Sequence, residues 1–333
     1  MNYKRDFIKA ITFQEVFPVP YNIKFTEEAK EKFKNYLGKN ADLIEYTGSY
    51  VVASHTNHGW KEVKPGYFED YFGVVWNKTL DKTLGIVDDP PLKNPSFENF
   101  VFPDPDNIPV YEFIEQHNKR YPDRFHMVSI GFTLYERAWS IVGMENLMLY
   151  FLMEPEFVKD LLSRITEYNC RIIDNAASLG VDCVHFGDDW AGQNGLLLGR
   201  DLWREFIYPG FHKTCETAKK NGIYVSHHSC GKVQELIPDM IEAGVDVFDP
   251  FQPEVMDVFK IKKQYQDQLA FWGGLSVQKT LPYGTSKEVE LEARKLLKEL
   301  APGGGYIFAP SHVLTDDIPI ENMLKVIEIA QNQ

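Results

Sequence analysis

Hydrophobic and polar positions alternate in a regular order over the C-terminal two thirds of this chain. From residue 125 onward, short runs rich in β-branched and aromatic residues alternate with longer runs that have the period of an amphipathic helix. The short runs predict six strands, at residues 125–133, 181–189, 223–230, 245–252, 269–275 and 305–312. Two further strands are predicted upstream, at residues 17–23 and 49–55.

Eight strands alternating with helices predict an α/β fold, with a (β/α)8 TIM barrel as the favoured architecture. A doubly wound open sheet is the alternative, because the N-terminal third is the weakest part of the strand count. Residues 56–124 are rich in Pro, Gly, Asp and Asn, and we expect a helical and loop extension over the barrel mouth there. The whole chain, 1–333, is therefore predicted to be a single domain.

The composition narrows the classes of function. The chain has 333 residues and a formal net charge of −13, with 44% hydrophobic residues, which is ordinary for a globular protein. An acidic surface repels nucleic acid and anionic membranes, so we expect neither as a partner. No apolar run reaches the roughly 18 residues that a membrane span needs, and the N-terminus lacks the apolar core of a signal peptide. The four cysteines show no CxxC spacing, so we expect a reducing, cytoplasmic compartment.

In a (β/α)8 barrel the active site lies at the carboxyl ends of the strands, so residues at those positions are the candidates for chemistry. Most of them are of types that bind metals or transfer protons. His55, like the nearby His58, lies in the less certain N-terminal region, where a surface histidine is the default expectation. The candidates are His55, Glu136, Asp188, Asp189, His228, Cys230, Asp249, Gln252, Gly273, Gly274 and His312.

One short stretch, YVSHHSCGKV at residues 224–233, suggests a metal site. Side chains in a strand alternate between its faces, so His228 and Cys230 point the same way and His227 points to the helix layer. An imidazole and a thiolate together suit zinc, which takes both types of ligand. The last strand offers His312 as a third ligand, at the same end of the barrel. The alternative is that His228 and Cys230 are core residues, as most His-x-Cys pairs are.

Three carboxylates and several residues near the predicted mouth are weaker candidates. Asp188 and Asp189, in the sequence GDD, form either a catalytic or metal-binding pair or an acidic turn that caps a helix. Glu136 follows a strand and points either into the site or to solvent from the first turn of a helix. The expected substrate-binding residues, of which the aromatic ones have packing as their alternative role, are Trp76, Trp190, Gln252, Trp272 and Gly273.

The C-terminal two thirds of the chain, about residues 125–330, resembles the uroporphyrinogen decarboxylase superfamily, which has the (β/α)8 fold. The resemblance rests on four stretches whose order and spacing match: HSCGKVQELIPDMIEAGVDVFDPFQPE, FWGGLSVQKTLPYGT, GGGYIFAPSH and DIPIEN. The superfamily contains decarboxylases and zinc-dependent methyltransferases that serve corrinoid proteins. The two branches differ in their site residues, so the residues of this chain can distinguish them.

The resemblance to the methyltransferase branch implies a zinc (Zn2+) site. That branch uses a His-x-Cys pair and a later cysteine as ligands, and His228 and Cys230 match the pair. His312 aligns with the later cysteine, so this chain departs from the pattern, and either His312 or a carboxylate is the third ligand. The implied activity is methyl transfer between a small methylated compound, such as a methoxylated aromatic in an O-demethylase-type reaction, and the cobalamin-type corrinoid of a partner protein. The three carboxylates are the expected catalytic residues, while the direction of transfer and a homodimeric state stay open.

The decarboxylase branch uses an arginine-rich stretch after the first strand and needs no metal. In this chain the first predicted strand leads to PYNIKFTEEAK, which contains no arginine. A polyanionic porphyrinogen requires several cationic partners, so the classical decarboxylation is disfavoured. A decarboxylase-type lyase acting on a less anionic substrate is the alternative hypothesis, and a barrel that binds a ligand without catalysis is the third.

Overall fold

Eleven β-strands form in the described part of the chain, which covers residues 2–57, 59–82 and 85–333 of this computed structural model. In chain order they are β1 (Val51–His55), β2 (Lys61–Lys64), β3 (Tyr67–Glu69), β4 (Val75–Asn77), β5 (Ile86–Asp89), β6 (Phe125–Gly131), β7 (Cys183–Gly187), β8 (Tyr224–His228), β9 (Val247–Phe251), β10 (Ala270–Leu275) and β11 (Tyr306–Pro310). Seven of them make one parallel sheet in the order β1-β6-β7-β8-β9-β10-β11, and β2 to β5 make a separate antiparallel sheet.

Fourteen α-helices accompany the strands in these residues. They are α1 (Tyr3–Ile11), α2 (Glu27–Leu37), α3 (Leu43–Thr47), α4 (Val110–Arg120), α5 (Tyr135–Val142), α6 (Met144–Met153), α7 (Pro155–Ser178), α8 (Gly199–Leu202), α9 (Tyr208–Lys220), α10 (Ile237–Ala243), α11 (Val258–Gln264), α12 (Thr280–Tyr283), α13 (Ser286–Leu300) and α14 (Ile320–Gln331). A π-helical turn, Trp203–Ile207, joins α8 to α9, and a 3-10 turn, Gln234–Leu236, precedes α10. In the described residues, no helix combines the length and the apolar character that crossing a bilayer requires.

The strands of the seven-stranded sheet are buried because side chains fill the barrel and helices cover its outer face. In β9 and β11 every residue is buried. Each parallel strand also needs a crossover to reach the next one, and the intervening helices supply it. The register places Gly131, Gly187 and His228 side by side at the carboxyl ends of β6, β7 and β8.

An extended segment at residues 20–25 lies between β11 and β1 and closes the barrel. The N–H of Phe308 donates to the carbonyl of Pro20 at 2.9 Å, and the N–H of Asn22 donates to the carbonyl of Phe308 at 3.1 Å. On the other side, the N–H of Tyr50 donates to the carbonyl of Tyr21 at 3.1 Å. The predicted (β/α)8 TIM barrel is therefore confirmed and the open sheet is not formed. The strand predicted at 17–23 is reduced to an isolated bridge at Tyr21, because prolines at 18 and 20 cannot donate to a ladder.

The N-terminal extension, predicted as helices and loops, also contains the small antiparallel sheet of β2 to β5. These strands have only three or four residues each, which is too short for an alternating pattern to stand out in the sequence. Trp76 of β4 is fully buried and packs against Phe132, which follows β6, with ring centroids 4.7 Å apart. The small sheet therefore lies beside the barrel mouth, next to the end of β6.

A buried ion pair fastens the small sheet to the barrel. The Nη1 of Arg137, in α5, donates to the Oδ2 of Asp70 at 2.6 Å, and both side chains are almost fully buried. The same carboxylate accepts hydrogen bonds from the N–H groups of Phe72 and Val74 and from the indole of Trp76. Four donors around one carboxylate offset the cost of burying its charge.

Replacing Asp70 by asparagine is expected to destabilise the fold by about 3 kcal/mol, because it leaves the buried Arg137 charge without its partner. Urea unfolding followed by circular dichroism would measure the loss. Asp106→Asn is the matched control, since the Asp106–Arg171 pair is half exposed on both sides and should contribute little. Equal losses for the two variants would contradict the role of the buried pair.

Candidate metal centre

Side chains that can bind a metal meet at the carboxyl ends of β8, β9 and β11. His228 ends β8, Cys230 follows it, Asp249 lies in β9, and His312 follows β11. The Sγ of Cys230 is 3.4 Å from the Nε2 of His228, and the rings of His228 and His312 are 5.4 Å apart between centroids. One ligand atom from each of His228, Cys230 and His312 lies within 4.8 Å of the other two. The barrel thus brings together the three residues that the sequence predicts as metal ligands.

The orientation of His228 is set by Asp249. The Nδ1 of His228 lies 3.0 Å from the Oδ2 of Asp249. A carboxylate can only accept at this distance, so Nδ1 carries a proton and Nε2 is the ring nitrogen that faces Cys230. A carboxylate behind a histidine ligand is the usual arrangement in metal sites, where it fixes the tautomer and raises the basicity of the ligand.

The spacing of the donor atoms suits zinc. Zinc–nitrogen and zinc–sulfur bonds of about 2.0 and 2.3 Å at a tetrahedral angle separate the two ligand atoms by about 3.5 Å. The observed separation between the Nε2 of His228 and the Sγ of Cys230 is 3.4 Å. The chemistry of the set, two imidazoles and one thiol, also matches the nitrogen and sulfur ligands that zinc takes. A second group of donors within 4.8 Å, formed by His185, His228 and Asp249, shares His228 with the first.

Neighbouring charges set the protonation of these residues. Burial opposes protonation of His228, but Cys230 and the Asp249 carboxylate raise its pKa well above the ordinary value. Burial likewise opposes ionisation of Asp249, yet Lys24 and His228 hold its pKa well below the usual range. Burial, together with the nearby His228, lowers the pKa of His312 to about 4. His312 is therefore a neutral imidazole at pH 7, which is the form that binds metals.

The turn after β8 holds Cys230 in place. The N–H of Cys230 donates to the carboxylate of Asp189 at 2.8 Å, and the N–H of Gly231 donates to the side-chain oxygen of Gln252 at 2.7 Å. Gly231 has a φ of 86°, and a Cβ there would lie 2.4 Å from the carbonyl oxygen of Ala191. In this structure Gln252, predicted to bind substrate, is engaged in shaping the turn that presents the thiol.

The first aspartate of the GDD sequence caps a helix. The carboxylate of Asp188 accepts hydrogen bonds from the backbone N–H groups of residues 134–136 at the start of α5. It also accepts one from the indole of Trp190 at 2.7 Å. Burial raises the pKa of Asp188 to about 6, although these donors lower it. Of the two roles predicted for this residue, capping is the one that these contacts show.

The other two carboxylates lie beside the ligand group. The Oδ1 of Asp189 is 3.9 Å from the Nε2 of His228. Burial, and then the charge of Asp189, raise the pKa of Glu136 well above its ordinary value. The structure therefore brings both residues to the site, and Glu136 is biased towards the protonated acid.

The three tryptophans predicted to bind substrate are all nearly inaccessible. Trp190 stacks on His227 in the helix layer, with ring centroids 4.0 Å apart. Trp76 packs against α5, with its ring 6.2 Å from that of Trp139. Trp272 alone reaches the vicinity of the ligands, where it lines a small cleft together with His228 and His312. Trp76 and Trp190 are therefore packing residues in this structure, and their side chains do not face the ligand group.

The structure places Gly273 at a close approach of two strands and His55 at an exposed strand end. Gly273 has a φ of 131°, and a Cβ there would lie 2.8 Å from the backbone nitrogen of Phe251, so glycine permits the close approach of β9 and β10. His55 ends β1 and is exposed, and His58 lies outside the described residues.

Two residues of the site were not among the sequence candidates. Lys24, on the segment that closes the barrel, has its Nζ 3.4 Å from the Oδ2 of Asp249. His185, in β7, has its Nε2 3.8 Å from the same oxygen. His185 could have been found, because it lies two residues before the end of its strand and so shares the inner face. Lys24 had no such signal, since its segment is not a regular strand.

A (β/α)8 barrel with metal-ligand side chains at the carboxyl ends of its strands has the architecture of a barrel enzyme. The family model described as uroporphyrinogen decarboxylase (URO-D) matches residues 80–333. The chain belongs to this family, as its motifs predicted.

Relatives from both branches of the family are similar to this chain. The uroporphyrinogen decarboxylase of Chlorobium chlorochromatii is 23% identical over 270 residues, covering 76% of this chain and 73% of the relative. The methylcobamide:CoM methyltransferase MtaA of Methanosarcina barkeri is 23% identical over 190 residues, covering 57% and 53%. A solved methyltransferase from Methanosarcina mazei has a TM-score of 0.77 at 16% identity, covering 99% of this chain and 98% of that one, which shows a shared fold. Family and relatives together indicate an enzyme, either a methyltransferase or a decarboxylase.

Alanine at position 231 is expected to destabilise the protein more than alanine at position 180. Both glycines have a positive φ, 86° and 84°, so each substitution strains the backbone by about 1–2 kcal/mol. Nothing lies within 4 Å of a Cβ on Gly180, whereas one on Gly231 meets backbone at 2.4 Å. Thermal unfolding should therefore show at least twice the loss for Gly231→Ala, and equal losses would disprove the tight contact behind Cys230.

Proposed function

We propose that this protein is a zinc-dependent methyltransferase that moves a methyl group between a small methylated compound and the corrinoid of a partner protein. The observation that carries the proposal is the group formed by His228, Cys230 and His312, whose spacing and ligand types suit one zinc ion. A methoxylated aromatic is the first candidate for the methylated compound, in a reaction of the O-demethylase type. We expect a cytoplasmic enzyme in which residues 1–333 act as a single domain.

The name of one relative supports the link to a corrinoid. That relative is a methylcobamide:CoM methyltransferase, and methylcobamide is a methylated corrinoid. A zinc ion held by one thiolate and two neutral imidazoles would keep a net positive charge and polarise a substrate oxygen or sulfur. This property suits the removal of a methyl group from a heteroatom better than decarboxylation.

The residues around the ligands prepare them for this task. Asp249 keeps the Nδ1 of His228 protonated, so that Nε2 is the atom available to the metal. Lys24 balances the charge of Asp249 and holds that carboxylate ionised. His312 stays neutral at pH 7, which leaves its lone pair free for the metal.

The carboxylates supply the rest of the proposed chemistry. Asp189 lies close enough to His228 to orient the substrate, or to occupy the remaining coordination position until the substrate displaces it. Glu136, biased towards the protonated acid, is the candidate proton donor to the heteroatom that loses its methyl group. Asp188 positions Glu136, because it accepts the N–H of that residue at 2.8 Å.

A decarboxylase-type lyase acting on a less anionic substrate is the second candidate, and the relatives named uroporphyrinogen decarboxylase favour it. A substrate with several carboxylates needs cationic side chains at the mouth. Of the lysines and arginines in the described part of the chain, Lys24 lines the cleft beside His228, and it is already paired with Asp249. The charge of the cleft therefore supports methyl transfer better than decarboxylation of a polyanion.

Protein purified without chelator is expected to contain about one zinc per chain by elemental analysis. Cys230→Ala should lose it, because removing one of three protein ligands leaves too weak a site. Cys170→Ala is the matched control, since Cys170 is in α7 and contacts Thr217 of α9, away from the ligand group. Full zinc content in Cys230→Ala would overturn the proposed ligand set.

Methyl transfer is expected from a methoxylated aromatic to a reduced corrinoid. The absorbance change that accompanies conversion of cob(I) to methyl-cob(III) measures the rate of this transfer. Asp189→Ala should slow this transfer at least tenfold while weakening zinc binding less, if its carboxylate orients the substrate. Asp201→Ala, on the exposed start of α8, serves as the control and should leave both unchanged. A panel of methoxy-aromatic, methylamine and methylthiol donors without any zinc-dependent transfer would favour the lyase.

A further inference from the structure

Helix α6 carries apolar side chains on both its inner and its outer face. On the inner face Phe151 is buried and packs against Phe206 of the π-helical turn, with ring centroids 5.0 Å apart. On the outer face Leu149, Leu152 and Met153 are 55%, 76% and 72% exposed. A surface helix of a globular protein normally turns polar residues towards solvent. The outer face of α6 is therefore built like a surface that another molecule covers.

These exposed residues form one continuous surface, which we call the outer stripe: Leu149, Leu152 and Met153. Side chains three and four positions apart are neighbours on a helix, and the three positions fall within an arc of about 100° around the axis. The partly buried Met148 borders the same arc. An apolar arc of this width is the kind of surface against which a second helix packs.

The outer stripe ends on the side of the barrel mouth. The next helix, α7, has 24 residues and leads to the amino end of β7. At a rise of 1.5 Å per residue it is about 36 Å long, so it begins at the carboxyl ends of the strands. Leu152 and Met153 lie directly before it. At its other end α6 is joined through Gly143 to α5, whose first turn carries Glu136. A molecule bound to the outer stripe therefore lies beside the candidate metal centre.

The charges that border the outer stripe are negative. Glu145 lies in the first turn of α6, Glu154 and Glu156 follow the end of the helix, and all three side chains are exposed. Between Arg137 and Lys159 the sequence contains no lysine or arginine. Arg137 is buried, and Lys159 lies 3.4 Å from Glu156 as its ion-pair partner. An apolar surface with an acidic border is complementary to one with a basic border.

A second copy of this chain does not fit the border of the outer stripe. An interface between two copies is self-complementary, so the same residues face each other across a two-fold axis. Two antiparallel α6 helices would bring Glu145 of one copy close to Glu154 of the other, and like charges placed together are unfavourable. An anionic membrane is repelled in the same way, because the chain has a net charge of −13.

We infer that the outer stripe of α6 binds an amphipathic helix of a partner protein, whose apolar face is bordered by lysine or arginine. The inference does not depend on the reaction proposed above. Leucine and methionine supply the apolar contact, and the flexible methionine adapts to the shape of the facing helix. The glutamates give the partner its orientation and speed its approach, because they attract the basic border.

Two designed helical peptides of about 18 residues test the inference on the purified full-length protein. Both carry the same leucine face, which is bordered by lysine in one peptide and by glutamate in the other. Fluorescence anisotropy of the labelled peptides should show that the lysine peptide binds about tenfold more tightly than the glutamate peptide. Added salt should reduce this difference, because the charges at the border are exposed to solvent and are screened.

Substitutions in α6 separate the apolar contribution from the charged one. Leu152→Gln should weaken the lysine peptide about tenfold. Leu291→Gln, on α13, is the matched control, because Leu291 is 61% exposed and should leave binding unchanged. The double variant Glu145→Gln with Glu154→Gln should weaken the lysine peptide about threefold and leave the glutamate peptide no weaker.

Three results would overturn the inference. Equal binding of the two peptides, or binding of neither, would show that the acidic border does not select a partner. A lower melting temperature of Leu152→Gln would show that this side chain stabilises the fold itself. A dimer in analytical ultracentrifugation, or binding to phosphatidylcholine vesicles, that Leu152→Gln abolishes would assign the outer stripe to a second copy or to a membrane. If the lysine peptide binds as expected but no methyl transfer is found, the inference stands and the proposed function fails.

Discussion

The carboxylate of Asp249 is the group on which the arrangement of the site depends. It is buried on the inner face of β9, where it accepts a hydrogen bond from the Nδ1 of His228 and forms an ion pair with the ammonium of Lys24. Burying a charge is costly unless it is paired, so this carboxylate constrains both partners at once. Through His228 it directs the Nε2 of that ring towards Cys230, and through Lys24 it links the segment that closes the barrel to the centre of the site.

Closure of the barrel explains why residues from the two ends of the chain meet. The extended segment at residues 20–25 bonds to β11 on one side and to the start of β1 on the other, which brings Lys24 next to the turn that carries His312. Parallel strands direct all their carboxyl ends to one mouth, so each strand contributes a residue without any sequence proximity. The donor group is thus a product of topology, assembled from β8, β11 and the loops that follow them.

The same mouth gives its carboxyl groups different states through their surroundings. Asp249 is held ionised by two cationic partners, whereas Glu136 is pushed towards its neutral form by burial and by the charge of Asp189. The carboxylate oxygens of Asp188 accept hydrogen bonds from backbone N–H groups at the N-terminus of α5, and these bonds hold in place the helix that carries Glu136. Carboxyl groups set apart in this way are the usual basis for dividing acid and base tasks in an active site.

Periodicity in the sequence determined the barrel from β6 to β11, and strand alternation was enough to place His228 and Cys230 on one face with His227 on the other. These are local properties, since a strand carries its alternation wherever it packs. Local pattern did not reveal the small sheet, whose strands are too short, or Lys24, whose segment is held by only a few backbone bonds. The local pattern also could not predict the roles of Trp190 and Asp188, because the sequence GDDW is compatible with side chains that face either the barrel mouth or the helix layer. Only the tertiary structure decided that Trp190 is buried on His227 and that Asp188 caps α5, because both depend on which helix packs against β7.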